Sequence, residues 1–193
     1  MGVVVNKVLP HKFEKIKQYV SMGFKKKNLP VLGVMPYQKR LDIPTVREIF
    51  EELKIRILCG EKHLDNSVDK ILIGAMKARD AVKYIVNNSL IITPSDRYDI
   101  IRAVIEFQAK KKKKCAIAGL ILSGGTKLSR KVVSLLKEHE IPTLLTDTDT
   151  YSIASKINDL EVKIKPEDLN KIEIAIKMVQ RYVDIDRLIE NIS

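Results

Sequence analysis

The chain has 193 residues, 45% hydrophobic and 31% charged, with a formal net charge of +11 at pH 7. That length suits one domain or two small ones with a real core, and that composition excludes a disordered chain. No apolar run approaches the roughly 20 residues of a membrane helix, and MGVVVNKV resembles neither a secretory signal nor, with Asn6, a myristoylation site, so a cytoplasmic protein without membrane attachment is expected.

In chain order, Gly2 to Val8 is Val-rich and predicts a buried strand, and Phe13 to Met22 places Phe13, Ile16 and Val20 at helical spacing. Pro30 to Pro36 predicts a second buried strand, and Ile43 to Leu53 an amphipathic helix with Pro44 in its first turn. Strand, helix, strand, helix is the order of a mostly parallel sheet. Arg56 to Cys59 reads as a brief strand or turn, and polar Gly60 to Asn66 as a loop and unit boundary. Ile71, Leu72 and Ile73 predict a strand entering a tight turn at Gly74-Ala75-Met76, with a helical Ala78 to Ile85 after it. Leu90 to Ile92 is the next buried strand, stopped by Thr93, Pro94 and Ser95 and followed by a helix over Ile100 to Phe107. Ala116 to Leu122 is the clearest strand, with Ser123-Gly124-Gly125-Thr126 directly behind it and a helix over Leu128 to Glu138. Ile141 to Leu145 is a further strand, ending in Thr146 to Thr150 and a short helix, Tyr151 to Ile157. Glu161 to Ile164 fits a small edge strand and Pro166 to Tyr182 a final helix. Asp184 to Ile192 is a tail whose apolar spacing suits the body or another subunit. The fold class is α/β: mostly parallel sheets flanked by helices, in two small units.

Cys59 and Cys115 stand far apart with no Cys-x-x-Cys, and His11, His63 and His139 are scattered, so no metal site and no disulfide framework are expected. The positive excess sits largely in Lys25 to Lys27 and Lys110 to Lys114. No aromatic residues interleave with these runs as a base-stacking platform requires, which disfavours a nucleic-acid partner. A Lys- and Ile-rich composition without Trp also fits adaptation to heat.

Three strand ends carry candidate chemistry: Asp96-Arg97, Ser123-Gly124-Gly125-Thr126, and Thr146 to Thr150. Such ends are where open α/β sheets hold ligands. A double glycine between strand and helix lets backbone N–H groups approach an anion, and Arg97 can grip the same anion through a fork. Asp96 then orients Arg97 or accepts from a ligand hydroxyl, while Thr148 and Thr150 add hydroxyl donors from the third loop. The same residues also fit a plain reading, with Ser95 or Asp96 capping a helix, Gly124-Gly125 making a tight turn, and Asp96, Asp99, Asp147 and Asp149 as caps and surface charge rather than a cation site. The sequence has no P-loop motif, no nucleophile elbow and no His-Glu-x-x-His, and nothing in it requires a catalytic step.

Gly74-Ala75-Met76, ITPSDRYDI (Ile92 to Ile100), GLILSGG (Gly119 to Gly125) and Asp149 to Tyr151, in that order, resemble the DRTGG domain. Ser123 stands where the family motif often has Thr, and Tyr98 where a small or polar residue is usual. In long phosphate acetyltransferases that domain lies between a dethiobiotin-synthetase-like P-loop region and the catalytic domain. GVVVNKV (Gly2 to Val8) and VLGVMPY (Val31 to Tyr37) resemble the late strands of that P-loop region. The resemblance implies three parts: 1–62 as the end of a P-loop domain without its P-loop, 63–160 as the DRTGG-like domain, and 161–193 as a helical tail. It also implies a non-catalytic, regulatory module that needs no cofactor, binds a small anionic metabolite or nucleotide, and supports homo-oligomerisation. The ligand groups are then Asp96, Arg97, Ser123, Gly124, Gly125, Thr126, Asp149 and Thr150. The alternative is an ATP-using enzyme subunit completed by a separate P-loop chain or a phosphate acetyltransferase-type partner.

Overall fold

The computed structural model describes residues 2–111 and 117–190. Lysines 112–114, Cys115, Ala116 and Ile192, on which some of the readings above fall, lie outside the described residues. The chain divides into two compact units, 1–42 together with 163–193, and 43–162.

The first unit opens as strand β1 (Val3–Val8), helix α1 (Phe13–Lys25) and strand β2 (Val31–Pro36), with β1 and β2 paired in parallel. Leu32 and Val34 of β2 are buried, the period-two pattern of a strand covered on one side.

The second unit begins with α2 (Val46–Leu53). Its start is set by a capping box in which Thr45 Oγ1 accepts from the Glu48 N–H and Glu48 Oε2 accepts from the Thr45 N–H at 2.6 Å. The expected helix from Ile43 with Pro44 in its first turn is corrected accordingly: Pro44 precedes the cap. There follow β3 (Arg56–Cys59), β4 (Lys70–Ile73), α3 (Ala78–Ala81), β5 (Ser89–Pro94), α4 (Tyr98–Lys111), β6 (Gly119–Ser123), α5 (Arg130–Glu138), β7 (Thr143–Leu145) and α6 (Thr150–Asn158). The sheet order is β3-β7-β6-β5-β4, with β4 to β7 parallel and β3 antiparallel to β7.

The central strands are apolar throughout because both sheet faces are covered. Leu90 and Ile92 of β5, Ile121 of β6 and Leu144 of β7 meet Val46 and Ile49 of α2 and Ile153 and Ile157 of α6 on one face. Ile91, Leu120 and Leu122 meet Ile100, Ile101 and Val104 of α4 and Leu136 of α5 on the other, where Ala78 and Ala81 of α3 also pack. The helices after β4, β5 and β6 therefore lie on one face. The helix after β7 goes to the opposite face and crosses back over β5 and β4. Cys59 is buried in this core, and burial pushes its thiol up.

The chain then passes back into the first unit, adding α7 (Leu169–Tyr182) and α8 (Ile185–Glu190) against β2. Residues 161–165 form no strand, so the expected edge strand at Glu161 to Ile164 is corrected: this stretch carries the chain between units and pairs with no strand. α2 and β3, expected ahead of a boundary near residue 62, sit in the larger unit because their apolar faces complete its core. No helix among the described residues is long and apolar enough to cross a membrane.

Candidate functional site

Four parallel strands end at one edge of the five-stranded sheet, and the three candidate loops follow three neighbours, β5, β6 and β7. The connections after β6 and β7 leave toward opposite faces. In an open α/β sheet, adjacent connections that diverge in this way open a crevice outside the strand ends.

Arg97 and the double glycine turn away from each other along this edge. The Arg97 guanidinium reaches toward β4: Nη1 donates to the Gly74 carbonyl at 3.1 Å and Nη2 to the Met76 carbonyl at 2.9 Å. Its other bonds form a fork on Asp99, Nε to Oδ1 at 2.8 Å and Nη2 to Oδ2 at 2.9 Å. Asp99, in the first turn of α4, orients this cation, which corrects the assignment of that task to exposed Asp96. The reason is geometric: Asp99 stands beside the guanidinium across the helix start, where the helix dipole also favours a carboxylate.

The Arg97 hydrogen bonds, first among several causes, hold the Asp99 carboxyl below the usual carboxylate range. A depressed carboxyl stabilises the fold fully above its unfolded pKa, and that contribution is lost as pH falls through the lower folded value. Acid titration of thermal stability is therefore expected to show wild type and Asp99→Asn separated at pH 7 and drawing together as pH falls through the lowered carboxyl value of Asp99. Curves that stay equally separated at both ends would exclude the linkage.

The double glycine turns toward β7. The Gly124 N–H donates to the Thr148 carbonyl at 3.2 Å and the Gly125 N–H to the Thr146 carbonyl at 3.1 Å. Gly124 and Gly125 both have positive φ, 80° and 66°, and a Cβ on Gly125 would run into the Asp147 carboxylate. Ser123, buried at the end of β6, shares a 2.7 Å hydrogen bond with the Thr150 hydroxyl at the start of α6. The Thr126 N–H donates to buried Ser95 Oγ at 2.9 Å. Asp149 caps α6 by accepting from the Ser152 N–H, and its bonds with Ser152 lower its carboxyl pKa.

Ser123, Gly124, Gly125, Asp149 and Thr150 thus meet where the loops after β6 and β7 join, while Thr126 bonds to the loop after β5 and Arg97 to the turn after β4. Exposed Asp96, Asp147 and Asp149 put acid around this edge, with Lys127 as a nearby cation in the sequence. No group of three or more His, Cys, Asp or Glu suited to a metal occurs among the described residues. Sequence reasoning gave Ser95 only the part of a strand stop or helix cap, and gave Asp99 no part in holding Arg97. The only signal for the latter was the two-residue spacing of an Arg and an acid at a helix start.

A family model for the DRTGG domain matches residues 48–160. The chain belongs to the DRTGG domain family. A phosphate acetyltransferase of Synechocystis sp. is 30% identical over 192 residues, covering 98% of this chain and 27% of that protein. The phosphate acetyltransferase of Nitratidesulfovibrio vulgaris is 31% identical over 158 residues, 80% of this chain and 22% of that protein. The chain thus spans about a quarter of the length of these relatives. The uncharacterized protein YtoI of Bacillus subtilis is 26% identical over 149 residues, covering 76% and 32%. A crystal structure of the CBS and DRTGG domains of the regulatory region of Clostridium perfringens pyrophosphatase, complexed with the activator diadenosine tetraphosphate, aligns at a TM-score of 0.49 and 15% identity, covering 93% of this chain and 89% of that one. Within this DRTGG unit the signature arginine braces the turn after β4, and the signature glycines brace the loop after β7.

Proposed function

We propose that this chain is a regulatory, ligand-sensing DRTGG module that takes a small anionic metabolite, best a nucleotide, in the crevice beyond β6 and β7. One observation carries the reading: the Gly124 and Gly125 N–H groups sit at a divergence of connections and are held by two carbonyls of the segment leading into α6. A phosphate group that takes those N–H groups displaces the Thr146 and Thr148 carbonyls, which couples occupancy to the placement of α6. The Ser123–Thr150 hydroxyl pair loosens with it. The acidic edge suits the sugar hydroxyls of a nucleotide better than a bare phosphate. Arg97 acts as a positioning residue for the adjoining turn.

The phosphate acetyltransferase relatives support a place beside or within an acetyl-transferring polypeptide. Self-association is supported by α7, where Leu169, Ile176 and Val179, spaced like coiled-coil core positions, are exposed. The likeness of β1–α1–β2 to the end of a P-loop domain belongs to the same proposal.

The test is thermal unfolding with ATP, ADP, AMP, adenosine and inorganic phosphate. A nucleotide present at 100 times its Kd is expected to add about 2.7 kcal/mol, with phosphate or adenosine alone adding less. A midpoint unmoved by every one of these at millimolar concentration removes the reading.

A further inference from the structure

The two outer strands of the five-stranded sheet are finished differently. β3 carries exposed Arg56 at its start, and its pairing with β7 shifts register between Ile57 and Cys59. A charge and an irregularity of this kind keep an edge from taking up a further strand. β4, Lys-Ile-Leu-Ile, is regular and apolar by contrast. It pairs with β5 from Lys70 to Ile73 without a shift and holds no proline. Its one charge, the Lys70 ammonium, is turned onto the Tyr84 carbonyl at 3.4 Å.

The register shows which peptide groups look outward. The Gly74 N–H donates to the Ile92 carbonyl at 2.8 Å. In a parallel ladder, alternate residues turn both N–H and C=O to the same neighbour. Lys70, Leu72 and Gly74 therefore face β5, and Ile71 and Ile73 present their peptide groups at the open edge. No strand among the described residues lies on that side. The Ile73 carbonyl accepts from the Ala75 N–H and keeps a second lone pair. The side chains around this edge are apolar and exposed: Ile73 by 49%, Met76 by 47% and Tyr84 by 52%, all three lining one recess.

A row of open main-chain donors and acceptors takes an extended strand, and this edge has no charge at its centre for an opposite charge to meet. A second β4 answers both features. Run antiparallel about a twofold axis at Leu72, each copy sets Ile71 opposite the partner subunit's Ile73, in two pairs that share about four hydrogen bonds. The same register sets each Lys70 opposite the partner subunit's Gly74, so the two lysines stand about 13 Å apart along the strands rather than face to face. We infer that this chain forms a twofold dimer through β4, which joins two five-stranded sheets into one. The surface belongs to the larger unit and is distinct from the β6–β7 crevice and from the α7 stripe, so its failure leaves both of those readings standing.

Sedimentation velocity of the whole chain is expected to show a concentration-dependent dimer. Amide hydrogen exchange at Ile71 and Ile73 is expected to slow by about tenfold or more as the dimer fills. Ile73→Lys places an ammonium in the new pairing and weakens the dimer by about tenfold or more, whereas Ile176→Lys on α7 leaves it unchanged. Exchange is read on the unaltered chain and decides the matter even where the variant does not fold. A chain that stays monomeric, a dimer whose Ile71 and Ile73 amides exchange as fast as in the dilute monomer, or a dimer that Ile176→Lys disrupts and Ile73→Lys does not, overturns the inference.

Discussion

Replacing Arg97 by alanine is expected to lower the unfolding free energy by about 2–3 kcal/mol, read as a drop in denaturant midpoint at unchanged slope. The substitution removes four hydrogen bonds at once and leaves the carbonyl of buried Gly74 without its donor. The fork on Asp99 contributes the smaller part, because Asp99 is half exposed and solvent screens the pair. The carbonyls of Gly74 and Met76 contribute the larger part, since they tie the turn after β4 to the start of α4. Arg97→Lys restores only part of the loss, as an ammonium cannot reproduce the planar fork. Amide exchange should quicken first at residues 74–78, before the central strands respond. An Arg97→Ala midpoint equal to wild type would remove the brace from the account.

The second large effect separates two adjacent glycines. Gly125→Ala is expected to cost about 2–3 kcal/mol and Gly124→Ala about 1 kcal/mol. Both residues have positive φ, so both substitutions meet the backbone cost of an L side chain in that region. Only at Gly125 does the new Cβ collide, and it collides with the Asp147 carboxylate; at Gly124 nothing lies within 4 Å. The Gly125 variant must therefore push away the segment that supplies the Thr146 and Thr148 carbonyls, and with it the entry to α6. Equal losses in the two variants, measured by chemical denaturation, would show that contact to carry no weight.

Much of the larger unit was legible in the residues. Leu90 to Ile92 and Ala118 to Leu122 are apolar without alternation because both faces of a central parallel strand are covered, and that pattern survives any detail of the loops. The edge on which the candidate groups gather was legible for the same reason, since each group follows such a run directly. The direction in which each group points was not. Arg97 and Gly124-Gly125 sit on neighbouring strand ends, yet one bonds to the turn after β4 and the other to the segment after β7.

The local pattern of this chain determined its strands, the helices between them and the edge where polar groups collect, because burial periodicity and turn chemistry act within a few residues. Tertiary structure alone decided that β3 joins antiparallel beside β7, that α6 takes the opposite face from α5, and that Asp99 rather than Asp96 holds Arg97. Those outcomes depend on which distant surfaces are left to cover and which carbonyls are left to satisfy, and both quantities exist only once the sheet has formed.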